Sequence, residues 1–157
     1  MQMIKRAVFS LALIMSLGCQ ADTANSGYTV VTQEQMKSFT GRAIYTTEQV
    51  TYVGELKNGN RHGYGISYAQ NGSVMAGHWE NDKFMGEGVM ISADINSVSV
   101  GNFDGATLIG NGAVTFEGDV AQGDFKKGSA MPDNVECYRA GEKIDCKDSK
   151  LYGTPGG

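Results

Sequence analysis

The chain has few of the residues from which most catalytic and metal sites are built. Its 157 residues include two histidines, three cysteines and one tryptophan. His62 lies in a predicted turn and His78 at a predicted strand position beside Trp79, so the pair matches neither a metal-ligand nor a catalytic-triad pattern. We therefore expect no metal and no cofactor, and we expect both histidines to be solvent-facing polar residues.

Proline is scarce while glycine is abundant, with 2 prolines against 22 glycines. This glycine content is roughly twice the usual ~7%, and with so little proline it argues against a disordered linker. The length is that of one domain and is too short for a catalytic domain together with a repeat array. The glycines are therefore expected to punctuate ordered structure.

Positive charge is also scarce. The formal net charge is −4, and it becomes −6 if Lys5 and Arg6 are removed with the segment described next. Nucleic acid and anionic lipid headgroups would need clustered lysine and arginine. Neither is an expected partner of the repeats.

The longest apolar run, residues 7–17, follows Lys5 and Arg6 and has eleven residues. A membrane-spanning helix needs about 20. A basic start, a short apolar stretch and the small Gly18 are typical of a secretory signal, which we place at residues 1–18. The sequence therefore predicts export.

The end of this signal resembles a bacterial lipobox. Residues 15–19 read Met-Ser-Leu-Gly-Cys, and the resemblance implies that Cys19 is acylated and becomes the first mature residue. Gln20 after the cysteine then implies the periplasmic side of the outer membrane. The alternative is an ordinary cleavage site at residues 19–21, before Asp22, which would give a secreted or soluble periplasmic protein.

Both interpretations leave Cys137 and Cys146, and an even pair in an oxidising compartment predicts a disulfide. A type II′ turn at Gly141-Glu142 would place the two cysteines directly opposite each other, with Cα atoms about 4.5 Å apart. A redox-active pair is the alternative, but thiol oxidoreductases usually separate their cysteines by two residues. The hairpin is expected to stabilise the C-terminal end.

An internal repeat organises the middle of the chain. Four segments align on a leading glycine, with spacings of 23, 24 and 22 residues, and three of them carry two further glycines nine and eleven residues later. The leading glycines are Gly54, Gly77, Gly101 and Gly123, and the later pairs are Gly63 and Gly65, Gly86 and Gly88, and Gly110 and Gly112. A large apolar side chain follows each leading glycine by two residues: Leu56, Trp79, Phe103 and Phe125.

This pattern resembles the MORN repeat, roughly Y-x-G-x-[WFY]-x-x-G-x-x-x-G-x-G, over residues 52–128. The first copy matches with Tyr52, Gly54, Gly59, Gly63 and Gly65, while Leu56 replaces the aromatic residue. Met75 and Ser99 replace the leading tyrosine in later copies, and the fourth copy stops after Gly128. The resemblance implies tandem β-hairpins and a scaffolding role.

The alternation of residues predicts the same hairpins. Every second residue from Val50 to Leu56 lies on one face, with polar Thr51 and Glu55 on the other. The loop 57–62 contains Asn58-Gly59, where positive φ is favourable. Successive hairpins are expected to pair edge to edge. The fold class predicted is all-β: an elongated, twisted antiparallel sheet, with a ladder of Trp79, Phe103 and Phe125 inside.

The predicted organisation has four parts: a signal peptide at 1–18, an N-terminal tether and cap at 19–49, the hairpin array at 50–130, and a disulfide-closed hairpin and tail at 131–157. Within the cap, Thr32 and Gln35 have capping-box spacing and predict a short helix, followed by a strand near residues 43–45.

The expected function is non-enzymatic, with the repeats binding an unidentified envelope protein. A single-layer sheet cannot bury both faces, so we expect four aromatic residues to be partly exposed as partner-binding anchors: Tyr45, Tyr64, Tyr68 and Trp79. Lipid or envelope-glycan binding is the alternative, and an envelope hydrolase is the second alternative. The latter would need a carboxyl pair, but the acids near hairpin ends are expected to be solvated turn residues: Glu80, Asp82, Glu117, Asp119 and Asp124.

Overall fold

The computed structural model describes residues 27–127 and 132–151. The predicted signal peptide and the predicted lipidation site Cys19 lie outside the described residues. Eleven strands are present: β1 (Thr29–Val30), β2 (Gly41–Thr46), β3 (Val50–Lys57), β4 (Asn60–Ala69), β5 (Val74–Glu80), β6 (Lys83–Ser92), β7 (Ser97–Asp104), β8 (Thr107–Phe116), β9 (Asp119–Phe125), β10 (Asp133–Arg139) and β11 (Glu142–Ile144).

The strands form one open sheet in sequence order, from β1 to β11. Each strand pairs antiparallel with the next, except that β1 runs parallel to β2. The predicted all-β fold of tandem antiparallel hairpins is therefore confirmed. The sheet is continuous, because β2 joins the N-terminal cap to the repeats and β10 joins them to the C-terminal hairpin.

Two glycine positions in each repeat have different structural roles. Gly63, Gly86 and Gly110 have φ of 57°, 71° and 67°, and each lies where the second strand of a hairpin bulges and the register shifts. Residues that carry a side chain rarely adopt such φ values. The other glycines pair across the sheet in one row that crosses seven strands: Gly54, Gly65, Gly77, Gly88, Gly101, Gly112 and Gly123.

The glycine row lets one large side chain lie on the backbone of each hairpin. Tyr52 covers the first pair, and a Cβ at Gly54 would lie 2.5 Å from its hydroxyl oxygen. Phe84 covers the second pair and Leu108 the third, where a Cβ at Gly101 would lie 2.9 Å from a Leu108 methyl carbon. The space that each glycine leaves is therefore filled by a ring or a branched side chain.

The predicted ladder is present from Trp79 to Phe103, with Phe84 inserted between these two rings. Ring centroids are 5.9 Å apart for Tyr52 and Trp79, 5.2 Å for Trp79 and Phe84, and 5.0 Å for Phe84 and Phe103. Phe125 is buried in the same core. We call the side of the sheet that carries these rings the inner face and the opposite side the outer face.

The turn of the first hairpin is shorter than the predicted loop 57–62. It consists of Asn58 and Gly59, with φ of 50° and 83°, and Lys57 pairs with Asn60. Both central residues have positive φ, as a type I′ turn requires. Arg61 and His62 therefore belong to β4, and the extra residues of the predicted loop are absorbed by the bulge at Gly63.

The N-terminal cap contains the predicted helix and strand. Helix α1 (Gln33–Met36) begins with a capping box between Thr32 and Gln35, and the predicted strand near residues 43–45 is β2. The parallel pairing of β1 with β2 was not predicted. No helix of residues 27–127 or 132–151 has the length and hydropathy that a membrane crossing would need.

The C-terminal disulfide joins Cys137 and Cys146 as predicted, but the predicted register is wrong. The turn consists of Ala140 and Gly141, with φ of 51° and 85°, so Cys137 lies opposite Ile144 and not opposite Cys146. A type I′ turn that ends in glycine replaces the expected type II′ turn; the turn lies one residue earlier, so each partner in the pairing moves by two residues. Cys146 lies in the 3₁₀ turn after β11, with its Cα 5.1 Å from that of Cys137.

Candidate interaction surface

The outer face carries two neighbouring rows of side chains that cross from β2 to β9 without a charged residue. Residues directly opposite each other on paired strands share a face, which defines these rows. The first row is Ile44, Val53, Ile66, Ala76, Val89, Val100, Ala113 and Gln122. The second row is Thr46, Thr51, Tyr68, Val74, Ile91, Val98, Thr115 and Val120. We call these sixteen residues the uncharged strip.

Several residues of the strip are well exposed although they are apolar. Ile66 is 50% exposed, Tyr68 51% and Val100 47%. Tyr64, one pleat beyond Ile66 on the same face, is 68% exposed and makes an edge contact with the His78 ring at 5.6 Å. Soluble monomers seldom expose a contiguous apolar patch of this kind unless it binds something.

Charged groups border the strip on two sides. At the end beyond β9, Gln122 pairs with Glu136, and Val120 pairs with Tyr138, which pairs in turn with Lys143. Hydrogen bonds from Lys143, Tyr138 and Gln122 lower the pKa of Glu136 to about 2. One pleat along the strands, the outer face carries the acids Glu55, Glu87 and Asp124.

A cleft of about 530 Å³ opens on the inner side of β4–β6. The cleft has apolar lining from Met75, Met90, Trp79 and Phe84, and Arg61 is one of its charged lining residues. The guanidinium carbon of Arg61 is 4.1 Å from the Trp79 ring centroid, and Arg61 Nε lies 3.0 Å from Asp82 Oδ1. This arginine is therefore already held by a cation–π contact and an ion pair.

Two of the four predicted anchor residues are exposed and two are not. Tyr64 and Tyr68 lie on the outer face, but Tyr45 is 7% exposed and Trp79 1%. The expectation of partial exposure is therefore wrong for Tyr45 and Trp79. Both lie on the inner face, where Trp79 packs between Tyr52 and Phe84, and the Trp79 indole Nε1 donates a hydrogen bond to the Gly65 carbonyl.

The acidic residues at hairpin ends, which were predicted to be solvated, also differ in their exposure. Glu80, Asp82 and Glu117 are exposed, as expected, but Asp119 is fully buried. Its carboxylate accepts hydrogen bonds from Arg139 Nε and the Lys150 backbone N–H, both at 2.7 Å, and from a second Arg139 nitrogen. Asp119 is the first residue of β9, directly after the turn at Glu117 and Gly118, but Arg139 of β10 and Lys150 after the 3₁₀ turn lie against its carboxylate. The expectation of a solvated Asp119 is therefore wrong.

The histidines differ from the expected solvent-facing residues. Both are half-buried, and His62 Nδ1 is enclosed without a hydrogen bond to any residue of the described ranges. Within residues 27–127 and 132–151, no group of three or more histidine, cysteine, aspartate or glutamate side chains is placed to hold a metal ion.

Sequence comparison assigns the repeat to a family. Residues 52–74 and 76–94 match the MORN repeat, so the chain contains MORN repeats. The copies that begin near Ser99 and Ala121 fall outside these matches, yet their glycines Gly101, Gly112 and Gly123 continue the same row across the sheet. No curated protein matches the chain.

Proposed function

We propose that this chain is a non-enzymatic protein of the bacterial cell envelope, and that the outer face of its MORN sheet binds another protein. The observation that carries the proposal is the exposure of Tyr64 and Tyr68 on either side of Ile66 in β4, one of the eight strands that the uncharged strip crosses. Exposed tyrosines on a rigid support are frequent energetic centres of protein interfaces. The hairpin pairing supplies that support, because each of these residues lies within β4, between two paired strands.

A non-enzymatic role is supported by the placement of the ionisable groups. The carboxyls of Asp119 and Glu136, whose pKa values are lowered most, are engaged by Arg139 and by Lys143. Asp82, the acid that lines the inner cleft, is paired with Arg61. The lowered pKa values keep the carboxyls of Asp119 and Glu136 ionised, whereas a general acid must carry a proton.

The envelope location is supported by the leader-like residues 1–19 and by the Cys137–Cys146 disulfide, which is typical of oxidising compartments. In this proposal Cys19 carries the lipid, and the tether that follows it holds the sheet at the membrane surface. Fractionation of cells that express the chain and its Cys19→Ser variant tests this part. After growth with a radioactive fatty acid, we expect the unaltered chain to carry the label and the Cys19→Ser variant to lack it. Absence of the label from the unaltered chain would contradict lipidation.

Affinity capture from envelope extracts tests the binding face. We expect the Tyr64→Ala/Tyr68→Ala double variant to lose at least about 10-fold in partner recovery, because two truncated anchors cost about 2 kcal/mol or more. Glu142→Ala serves as the control, because Glu142 is exposed in β11, seven strands away from β4. Equal recovery by the double variant and the control would show that the partner does not use this face.

Flotation with lipid vesicles separates protein binding from lipid recognition by the sheet. The Cys19→Ser chain is expected to stay at the bottom of the gradient, because its repeats carry more acidic than basic groups. Flotation of this variant that is abolished by Tyr64→Ala/Tyr68→Ala would contradict the proposal and assign the outer face to lipid.

A further inference from the structure

The uncharged strip crosses eight strands and extends well beyond the two exposed tyrosines, which both lie in β4. Its composition indicates a particular partner. From β2 to β9 it contains no aspartate, glutamate, lysine or arginine, although charged side chains border it. Eleven of its sixteen residues are isoleucine, valine or alanine. Nine of these eleven are isoleucine or valine, which are branched at Cβ, and small or branched apolar side chains form the surface with which one β-sheet packs on another.

We propose that the strip is the interface between two copies of this chain, packed face to face. The inference rests on the proposed function, because it names the partner of the same outer face. A second copy brings a strip of identical length and spacing, and a two-fold axis lets every residue of the strip serve on both sides of the interface.

Charge placement supports this arrangement. The acids that border the strip, Glu55, Glu87 and Asp124, lie one pleat to the same side of it. If the two-fold axis runs along the strip, the acidic borders of the two copies fall on opposite sides of the interface. Two chains with a net negative charge can therefore associate without bringing these acids together.

The size of the strip sets the strength of association. Eight strands spaced about 4.8 Å apart give a length of about 38 Å, and two rows with their side chains give a width of about 13 Å. Each copy would bury about 500 Å², or about 1,000 Å² for the pair, at the lower limit for a specific interface. Interfaces of this size are usually those of weak or transient complexes, so we expect a weak dimer that concentration on a membrane would favour.

Photo-crosslinking of the full chain, expressed with its own leader, tests the interface in the cell. The probe p-benzoylphenylalanine replaces Val100, and the matched control carries it at Asn102, two residues along β7 on the same face but outside the strip. We expect a cross-linked product of twice the chain mass from position 100 and at least 10-fold less from position 102.

A second measurement uses copies with two different tags, expressed together. Val100→Lys should reduce their co-purification at least 10-fold, because it places one positive charge from each copy in the interface, whereas Asn102→Lys should change it less than 2-fold. Val100 is 47% exposed, so lysine can be accommodated there. Unchanged protease resistance of both exported variants confirms that the sheet is folded.

The outcomes separate this inference from the function on which it rests. Cross-linking from position 100 to a different protein, or to lipid, without a self product overturns the dimer. A cross-link to a different protein would still support a protein-binding outer face. A cross-link to lipid would contradict the proposed function as well as the dimer. Equal yields of self cross-linked product from positions 100 and 102 would overturn the proposed interface. They would show that contact between the two copies is not confined to the strip.

Discussion

At the scale of single residues, glycine decides which side chains the sheet can cover. Gly65 has an ordinary strand conformation, and it is required because the Tyr52 ring lies on its backbone. Gly63, two residues earlier, is required because its φ of 57° is in the left-handed region. The G-x-G of each repeat therefore combines a bulge position with a ring-contact position.

We expect Gly65→Ala to lower the free energy of unfolding by about 3 kcal/mol, the upper range of overpacking costs. The added Cβ would collide with the Tyr52 ring, which is fully buried and cannot move aside. Urea unfolding followed by far-UV circular dichroism gives the measurement.

Gly118→Ala provides the comparison, because Gly118 has a φ of 87° and open space around it. Its expected cost is about 1 kcal/mol, from backbone strain alone. In a Tyr52→Ala background, the cost of Gly65→Ala should fall below about 1 kcal/mol. A cost that stays at about 3 kcal/mol without the ring would show that Tyr52 is not the reason for the glycine.

A second residue-scale feature is the carboxylate of Asp119. The hydrogen bonds from Arg139 lower its pKa most, followed by that from the Lys150 backbone. Because the pKa in the folded chain lies below the unfolded value of about 3.9, the ionised carboxylate stabilises the fold above that pH. This stability is lost as the pH falls below about 4 and the unfolded chain takes up the proton.

We therefore expect the melting temperature to fall between pH 5 and pH 2, and Asp119→Asn to weaken that dependence while lowering stability at pH 7. Glu142→Gln is the control, because Glu142 is exposed in the neighbouring strand β11. Calorimetry at several pH values measures both effects. Parallel pH profiles for Asp119→Asn and the unaltered chain would contradict the role assigned to Asp119.

The sequence predicted the repeat glycines but not the partners of these residues. Phe84 and Leu108 occupy the seventh position after Gly77 and Gly101, and the same alignment that found the glycines could have found them. In the first copy that position is Arg61, which is why Tyr52 covers the glycine pair there. The burial of Asp119 could not be predicted, because it depends on how β10 and the chain after β11 fold back.

At the scale of single elements, the C-terminal hairpin shows how far local rules extend. The spacing of the cysteines was sufficient to predict the disulfide. Two cysteines nine residues apart on either side of a glycine turn come close enough to bond in more than one strand register. Turn type was decided by Ala140, a non-glycine residue with positive φ. Sequence rules could not predict that conformation, which places the turn one residue earlier and shifts the strand pairing by two residues.

The disulfide should stabilise this element and leave the repeats unaffected. We expect Cys137→Ala/Cys146→Ala to lower the free energy of unfolding of the hairpin by about 2 to 3 kcal/mol, the value for a closed loop of about ten residues. Hydrogen exchange should become faster in β10, β11 and the 3₁₀ turn, with little change in β3–β6. Faster exchange throughout β3–β6 would show that the hairpin supports the entire sheet.

At the scale of the whole molecule, the sheet is a one-dimensional array in which each strand contacts its two neighbours. Stability in such arrays is close to a sum of repeat and interface terms. This organisation followed from the sequence, because spacings of 22 to 24 residues leave room for two strands and two turns per copy. The parallel strand β1 and the exposure of individual rings did not follow from it, since they depend on tertiary contacts at the end of the sheet and on how the inner-face side chains pack together.

Deletion of one repeat tests this organisation. Removal of residues 77–100 joins Ala76 to Gly101, so that Gly101 takes the place of Gly77 opposite Gly65 and keeps both strand direction and face. We expect a folded chain with a lower melting temperature. Removal of residues 77–88 takes out about one strand and leaves the next with the wrong direction, so we expect no cooperative unfolding transition.

If the shorter deletion folded as well as the longer one, the sheet would not be built from two-stranded repeats. The Cys137–Cys146 disulfide lies outside both deletions and provides a common check on export and oxidation.

The central claim is that glycine-marked hairpins pair in one register across a single open sheet, because that register creates both the ring ladder and the uncharged strip. Interstrand NOEs between glycines in the NMR spectrum of the isotope-labelled chain test it most directly. The account predicts a connected series from Gly54 through Gly65, Gly77, Gly88, Gly101 and Gly112 to Gly123. The account would be contradicted if these glycines showed interstrand NOEs only to residues at other repeat positions and none to one another.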